Sequence, residues 1–513
     1  MMNLTPANFN VRKWLLPAFF ITLAIKLVLA ASIPFSGDEA YFLIWGQHPD
    51  FGFYDHPPMV GWLLWLMLRL SDAEWVLRLP VVLFTNFIGY GLYRLLRDWD
   101  AEKAAWAALL FLVSPINLMG VLITTDAGLI LFSFLCVWWL SRAMQSGLTK
   151  HFVWAGLAFG FACLSKYFAA LLGIAILLYW ATTPQARAKS RGFVWFCAAT
   201  LPAIALNAYW NYGHCWANIM FNVYNRHENA GFAWHKPIYY LAMQLYLLTP
   251  LAAWFLFKQR QRATALLTEQ RFRLFAWVFA VPMLIFALIS FEKVIGWHWV
   301  LSFYPFMFAL LVWWLDLDKL RKILRFMLVY TGLHVLAFAV ILSLPISAWQ
   351  HTPYAKGALL MLKPNELLEQ LAPYRGKYVL ASEGYSMAAI LTYHAGENVI
   401  VFGEGSSHAR HDDIVTDFRQ LQGRNILVLL KDPPEFDKYG PYFKSIEFGE
   451  INLYFTKFYL VLGSGLNYEA YREGVLRRVK EQYYAIPSYL PVGGCYFCER
   501  YFPQEGCRPK RAP

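Results

Sequence analysis

The most constraining feature of this sequence is its succession of long apolar runs. Reading each stretch of about 14 to 22 apolar residues as one crossing gives about eleven helical spans. They fall at 14–34, 76–96, 104–122, 127–141, 152–165, 167–181, 193–210, 238–257, 274–290, 297–315 and 326–346. The 513 residues are 58% hydrophobic, 18% aromatic and only 15% charged, with a mean hydropathy of +0.39. One soluble core could not hide that much apolar surface, so lipid must be the solvent. The expected fold class is a mainly α membrane bundle of about eleven transmembrane helices with a C-terminal α/β outer domain. Arg12 and Lys13 precede the first run in the manner of a signal peptide, but the run is long and many follow, so it reads as a retained first helix.

The net charge of +12 and the pI near 9.2 are read loop by loop. Arg187, Lys189 and Arg191 fall in one even-numbered loop, Lys258, Arg260, Arg262, Arg271 and Arg273 in the next, and Lys319, Arg321, Lys322 and Arg325 in the one after. The positive-inside bias makes all three cytoplasmic. The basic excess then reports membrane orientation and not a nucleic-acid partner. The expected location is a bacterial inner membrane, with the N-terminus cytoplasmic and the C-terminal domain periplasmic.

Parity also decides the segment 152–181. As one long helix it would bury Lys166 at its middle and place every later basic loop outside, so it reads as two helices. Each has about 15 residues and reaches about 22 Å, short of a hydrocarbon core of about 30 Å. Lys166 then lies below the outer surface, where an ammonium requires an anionic partner.

The domain reading is a catalytic bundle over 1–347 with a first outer loop at 35–58, a periplasmic α/β domain over 348–490 and a Cys-containing tail over 491–513. Strand-like runs Tyr378–Ala381, Val399–Phe402 and Ile426–Leu430 alternate with helix-like Tyr385–His394 and Asp413–Leu421. A hairpin (Ser445–Phe448, Leu453–Leu462) and a helix from Tyr468 to about Tyr483 follow, and the tail reads as loop.

With this topology the unexpected polar residues fall on the outer side. The first outer loop carries Asp38 and Glu39, then Asp55, His56 and the pair Pro57-Pro58. Ala40 to His48 reads as a short helix capped by Asp38, and the prolines can open another. Asp126, Lys166, Arg226 to Glu228, His235-Lys236, Glu292-Lys293 and His298 come from later outer loops. Any one could be a cap or an interfacial anchor. Together, carboxylates and bases on one face of a bundle suit an anionic, partly lipidic substrate with hydroxyl chemistry. A carboxylate can take the proton of an acceptor hydroxyl while Lys and Arg neutralise a departing phosphate. No cofactor is firmly expected. A divalent metal at His56 and His298 with Glu39 or Glu292 is the alternative, on spacing that is not diagnostic.

At these residues the chain resembles the bacterial lipid-linked glycosyltransferases of the GT-C superfamily. That group contains protein O-mannosyltransferases and the lipid A aminoarabinose and galacturonic acid transferases. The resemblance rests on Asp38-Glu39-Ala40-Tyr41, then Tyr54-Asp55-His56-Pro57-Pro58 with Trp62, and downstream Leu164-Ser165-Lys166 and Gly296-Trp297-His298-Trp299. It implies a GT-C-like bundle with a C-terminal outer domain, and transfer of a sugar from a polyprenyl-phosphate donor to a lipid, glycan or protein acceptor on the periplasmic face. It makes Asp38 the catalytic carboxylate and Glu39 its structural or acceptor-side neighbour, with Lys166 and His56 on the carrier phosphate. Asp55, Asp126 and His298 fall near the site, and Arg226 joins them on charge and topology alone. His56 departs from the aminoarabinose transferases, which carry lysine before the proline pair, and fits the galacturonic-acid-like branch better. The competing readings are a transporter or flippase of polyprenyl-linked sugars, a protein O-glycosyltransferase, and a receptor that binds lipid-linked sugar through residues 350–513.

Seven cysteines complete the inventory. Cys136, Cys163, Cys197 and Cys215 lie in apolar segments and read as small hydrophobes. Cys495, Cys498 and Cys507 invite a zinc, redox or disulfide reading. An outer compartment favours a disulfide, because three thiols alone do not close a structural zinc site.

Overall fold

The computed structural model describes residues 10–118, 120–225 and 231–507, and Arg226 lies outside them. Two compact units emerge: residues 1–33, 70–205 and 230–342 form the first, and 34–69, 206–229 and 343–513 the second.

The first unit is helical, as its apolar runs require. Among the described residues, six helices are long and apolar enough to cross a membrane: Val11–Ser32, Leu79–Leu96, Asp126–Ser146, Ser190–Gly213, Gln270–Ile289 and Leu317–Ser343. The other runs are helical but shorter. The run expected at 104–122 is the helix Ala101–Leu112 and a short turn Pro115–Leu118, and 297–315 divides into a 3-10 turn Trp297–Phe303 and the helix Tyr304–Trp314. The run at 238–257 breaks into His235–Leu248 and Pro250–Lys258, bent by 95°. Thr249 at the break has φ 71°. It precedes a proline that both lacks an N–H and disfavours helical geometry in the residue before it. The run 152–181 divides, as parity demands, into Thr149–Cys163 and Ala169–Thr182.

Besides Lys166, two further buried cations of this unit hold backbone carbonyls, and neither is marked by hydropathy. Lys26, fully buried in the first helix, donates to Val82 O at 2.8 Å, Asn86 Oδ1 at 3.2 Å and Asn117 Oδ1 at 3.3 Å, and also to Thr85 Oγ1. Arg78 donates to the carbonyls of Ala30 at 2.7 Å and Ile33 at 2.6 Å, at the C-terminal end of the same helix where carbonyls lack intrahelical partners.

The second unit contains a five-stranded sheet, β1 (Val379–Ser382), β2 (Ile400–Val401), β3 (Ile426–Leu430), β4 (Phe443–Leu453) and β5 (Thr456–Leu466), in the order β2-β1-β3-β5-β4. β1 pairs parallel with β2 and β3, and the β4–β5 hairpin adds antiparallel to β3. Every residue of β3 is buried, as expected of an all-apolar central strand. The helix expected at Asp413–Leu421 is instead a short turn Asp412–Val415 and a 3-10 turn Phe418–Leu421. The Arg500 guanidinium donates to the carbonyls of Asp413, Ile414 and Thr416, where the helix stops. The tail is not all loop, since Tyr496–Tyr501 is helical.

Candidate active site

In the second unit residues 37–68 include two short helices, Gly37–Gln47 and Met59–Leu68, the latter opened by Pro58. The cap of the former is Ser36, not Asp38. Ser36 Oγ accepts from Glu39 N, and Glu39 Oε2 accepts from Ser36 N at 3.1 Å and Ser36 Oγ at 3.0 Å, a reciprocal capping box. Glu39 is fully buried in this capping box, whereas Asp38 is exposed and takes no part in capping.

Asp38 is instead held by the helix Tyr385–Ala395, where the Tyr385 hydroxyl donates to its Oδ1 at 2.9 Å. The approach is close: a Cβ on Gly37 would collide with the Ser386 side chain and lie 3.2 Å from its Cα. Burial and then the Asp38 charge push the Tyr385 phenol well up, which keeps it a donor at neutral pH.

Asp55, 2% exposed, accepts from the Tyr41 hydroxyl at 3.4 Å, and His408 Nδ1 lies 3.5 Å from its other oxygen. Burial and then Asp55 likewise raise Tyr41. The Tyr385 ring lies 5.1 Å from Tyr41 and 5.6 Å from His408, so one chain of contacts joins Asp38 to Asp55. The loop 53–56 is clamped by side-chain amides. Asn218 donates to Tyr54 O at 3.1 Å, to His56 O at 3.4 Å and to Phe53 O, and Asn222 donates to Asp55 O at 2.9 Å. The His56 ring, 9% exposed, packs near Trp45 and Phe221.

In the first unit, Lys166 Nζ lies 2.6 Å from Asp126 Oδ2, both buried, and His298 Nε2 lies 3.9 Å from the same oxygen. Asp126 opens the helix Asp126–Ser146, where the macrodipole favours a carboxylate. Lys166 occupies the break after Thr149–Cys163, and His298 sits in the turn Trp297–Phe303. The anion that a buried Lys166 requires is therefore Asp126. Asp126 Oδ1 is buried and accepts no hydrogen bond among the described residues.

The structure thus gathers Asp126, Lys166 and His298 in one unit, and Asp38, Glu39, Asp55 and His56 in the other. Tyr385, His408, Asn218 and Asn222 carry no motif, and only tertiary contact reveals them.

The family profile described as dolichyl-phosphate-mannose-protein mannosyltransferase matches residues 55–210. A lipid A galacturonosyltransferase, RgtD of Rhizobium johnstonii, is 24% identical over 377 residues, 71% of this chain and 74% of its own. A lipopolysaccharide core galacturonosyltransferase of that organism, RgtB, is 29% identical over 213 residues, 40% of this chain and 42% of its own. ArnT from Cupriavidus metallidurans, solved in the apo state and bound to undecaprenyl phosphate, shares the fold. Its TM-score is 0.63 at 15% identity, over 88% of this chain and 98% of that one.

Proposed function

We infer that this chain, supported as a lipid-linked glycosyltransferase of the GT-C superfamily by its family match, its relatives and its fold, moves a sugar from a polyprenyl-phosphate donor to a lipid A or core-glycan acceptor on the periplasmic face. The observation that carries this reading is an exposed Asp38, relieved of capping by Ser36 and Glu39 and aimed by the Tyr385 hydroxyl. In the reaction the acceptor oxygen attacks the anomeric carbon. Its proton passes to the Asp38 carboxylate, and the carbon–oxygen bond to the carrier breaks with its electron pair going to the phosphate. Phosphate is a good leaving group, so the site must offset charge and need not supply an acid. Lys166 serves that purpose, since an ammonium has three donors and can serve Asp126 and a phosphate oxygen together.

The relatives make a galacturonic acid donor the first to try. The family match makes a protein hydroxyl the second acceptor class. The test is reconstitution into vesicles with a radiolabelled polyprenyl-phosphate uronic acid and either lipid A or a Ser/Thr-rich peptide. A new alkali-stable labelled lipid supports this reading. Label on the peptide alone replaces the acceptor, and transbilayer movement of intact donor without a new glycosidic bond overturns the enzyme in favour of a transporter.

A further inference from the structure

The tail cysteines are spent in disulfides, Cys215 with Cys495 and Cys498 with Cys507. A site with open chemistry lies instead at one end of the sheet in the second unit. β2 and β3 flank β1 on opposite sides, so the connection leaving β1 and the one leaving β2 run in opposite directions. In open α/β sheets the crevice outside the C-terminal ends of the strands at such a reversal seats ligands. A cavity of about 360 Å³ occupies that place, within the range of small-ligand sites, about 300–1,000 Å³. Glu383 on its wall directly follows β1, Glu404 comes soon after β2, and Lys438 and Tyr439 lie in the turn Phe436–Tyr439 that follows β3.

The lining is charged in balanced pairs. Lys438 Nζ lies 3.5 Å from Glu383 Oε2, and Arg478 Nε donates to Glu404 Oε1 at 2.5 Å, each of the four side chains being 34–57% exposed. Tyr439 and Tyr442, both buried, close the cavity with their rings. The loop carrying Glu404 is fixed. Gly403 and Gly405 have φ 100° and 60°, which glycine adopts without strain, Gly403 N donates to the Tyr471 hydroxyl at 2.8 Å, and Arg410 donates to Glu404 O at 2.6 Å. A carboxylate only accepts and an ammonium or guanidinium only donates, so each pair matches adjacent sugar hydroxyls, which do both. Two cations against two anions leave no net charge to select an ionic ligand, and the tyrosine rings suit the apolar face of a pyranose.

The same segments reach the acidic site. Glu383 comes two residues before Tyr385, whose hydroxyl holds Asp38, and Gly405 three before His408, which faces Asp55. Cα atoms so separated lie within about 7 Å and about 11 Å. We propose that this cavity binds a neutral sugar of the acceptor's glycan, as a subsite that presents the reacting hydroxyl to Asp38. The assignment rests on the transferase reading given above and narrows its acceptor to one that already bears sugar.

The experiment uses the full chain in a sugar-free detergent. Saturation-transfer NMR with cellobiose, mannobiose and digalactose, and with digalacturonic acid as the charged counterpart, reads binding. Steady-state transfer reads KM for bare lipid A and for lipid A carrying a core glycan. The parent is expected to bind a neutral disaccharide in preference to digalacturonic acid and to show a KM at least about 10-fold lower for the glycan-bearing acceptor. Glu404→Gln with Arg478→Gln is expected to abolish the disaccharide signal and the KM advantage, and Lys438→Gln, which removes one exposed ammonium, to weaken both. Lys457→Gln, at an exposed ion pair on the β4–β5 hairpin outside the cavity, leaves both unchanged. A parent that binds no neutral disaccharide or shows equal KM for the two acceptors, or a double variant that keeps the signal and the advantage, overturns the subsite while transfer continues. A parent that transfers nothing overturns the transferase reading and the acceptor role with it, and the disaccharide signal tells the two failures apart.

Discussion

The Tyr385 hydroxyl lies 2.9 Å from Asp38 Oδ1, joining residues 347 positions apart in the sequence. A carboxylate that must collect a proton from a substrate works only if its orientation is fixed, and a protonated phenol beside it supplies that constraint without adding charge.

Tyr385→Phe removes the constraint and little else. A hydrogen bond to a charged group contributes about 1.5–3 kcal/mol, so kcat is expected to fall by about 10- to 100-fold with the donor KM nearly unchanged. Steady-state transfer assays at saturating acceptor measure this split. An equal loss in Tyr385→Phe and Tyr385→Ala protein, with lowered thermal stability in both, would point to packing instead.

Gly37 is required by the approach of Ser386. Gly37→Ala is expected to lower both activity and the unfolding midpoint, and Gly37→Ala with Ser386→Gly to recover much of each. Failure of the second substitution to rescue would remove this contact from the account.

Lys166→Met leaves the Asp126 carboxylate buried without its cation. Breaking such a pair costs about 3–5 kcal/mol, whereas Asp126→Asn with Lys166→Met is expected to be more stable than Lys166→Met alone. Unfolding midpoints in detergent decide this, and transfer is lost in both variants.

Two adjacent groups in the second unit respond to pH with opposite sign. Burial and then Asp413 push the Asp412 carboxyl up to about 7, so the fold holds that proton where the unfolded chain has lost it, and stability falls as pH rises from about 4 to about 7. Burial and then His48 push His411 down to about 3, so the unfolded chain gains a proton first, and stability falls as pH drops from about 6.5. Relative to the parent, Asp412→Asn should gain stability towards pH 7 and His411→Phe towards pH 4, each by at most about 1.4 kcal/mol per pH unit. Thermal unfolding across pH 4–8 measures both slopes.

Hydropathy and loop charge make much of this architecture legible in the sequence. The break around Lys166 follows from parity, and its demand for an anion is met by Asp126. Asp38-Glu39 and Asp55-His56 stand out as ionisable pairs in an otherwise aromatic loop. What the sequence hides is reciprocal contact. Ser36 displaces Asp38 as the cap only because Glu39 reaches back to it. Cys215 looks like a hydrophobe until the tail brings Cys495 to it, and Arg500 takes the carbonyls of a segment 84 to 87 residues upstream, where the expected helix stops. Lys26 lies in a run whose mean character is apolar, so its four polar partners are invisible to a window average.

The most direct test of the central claim is single-turnover transfer from a labelled polyprenyl-phosphate uronic acid by parent and Asp38→Asn protein, purified in parallel and matched for unfolding midpoint and donor binding. The account predicts that Asp38→Asn binds the donor normally and forms product at least 1,000-fold more slowly, within the range of a lost general base acting in a preorganised site. Product formation within a few-fold of the parent would contradict it.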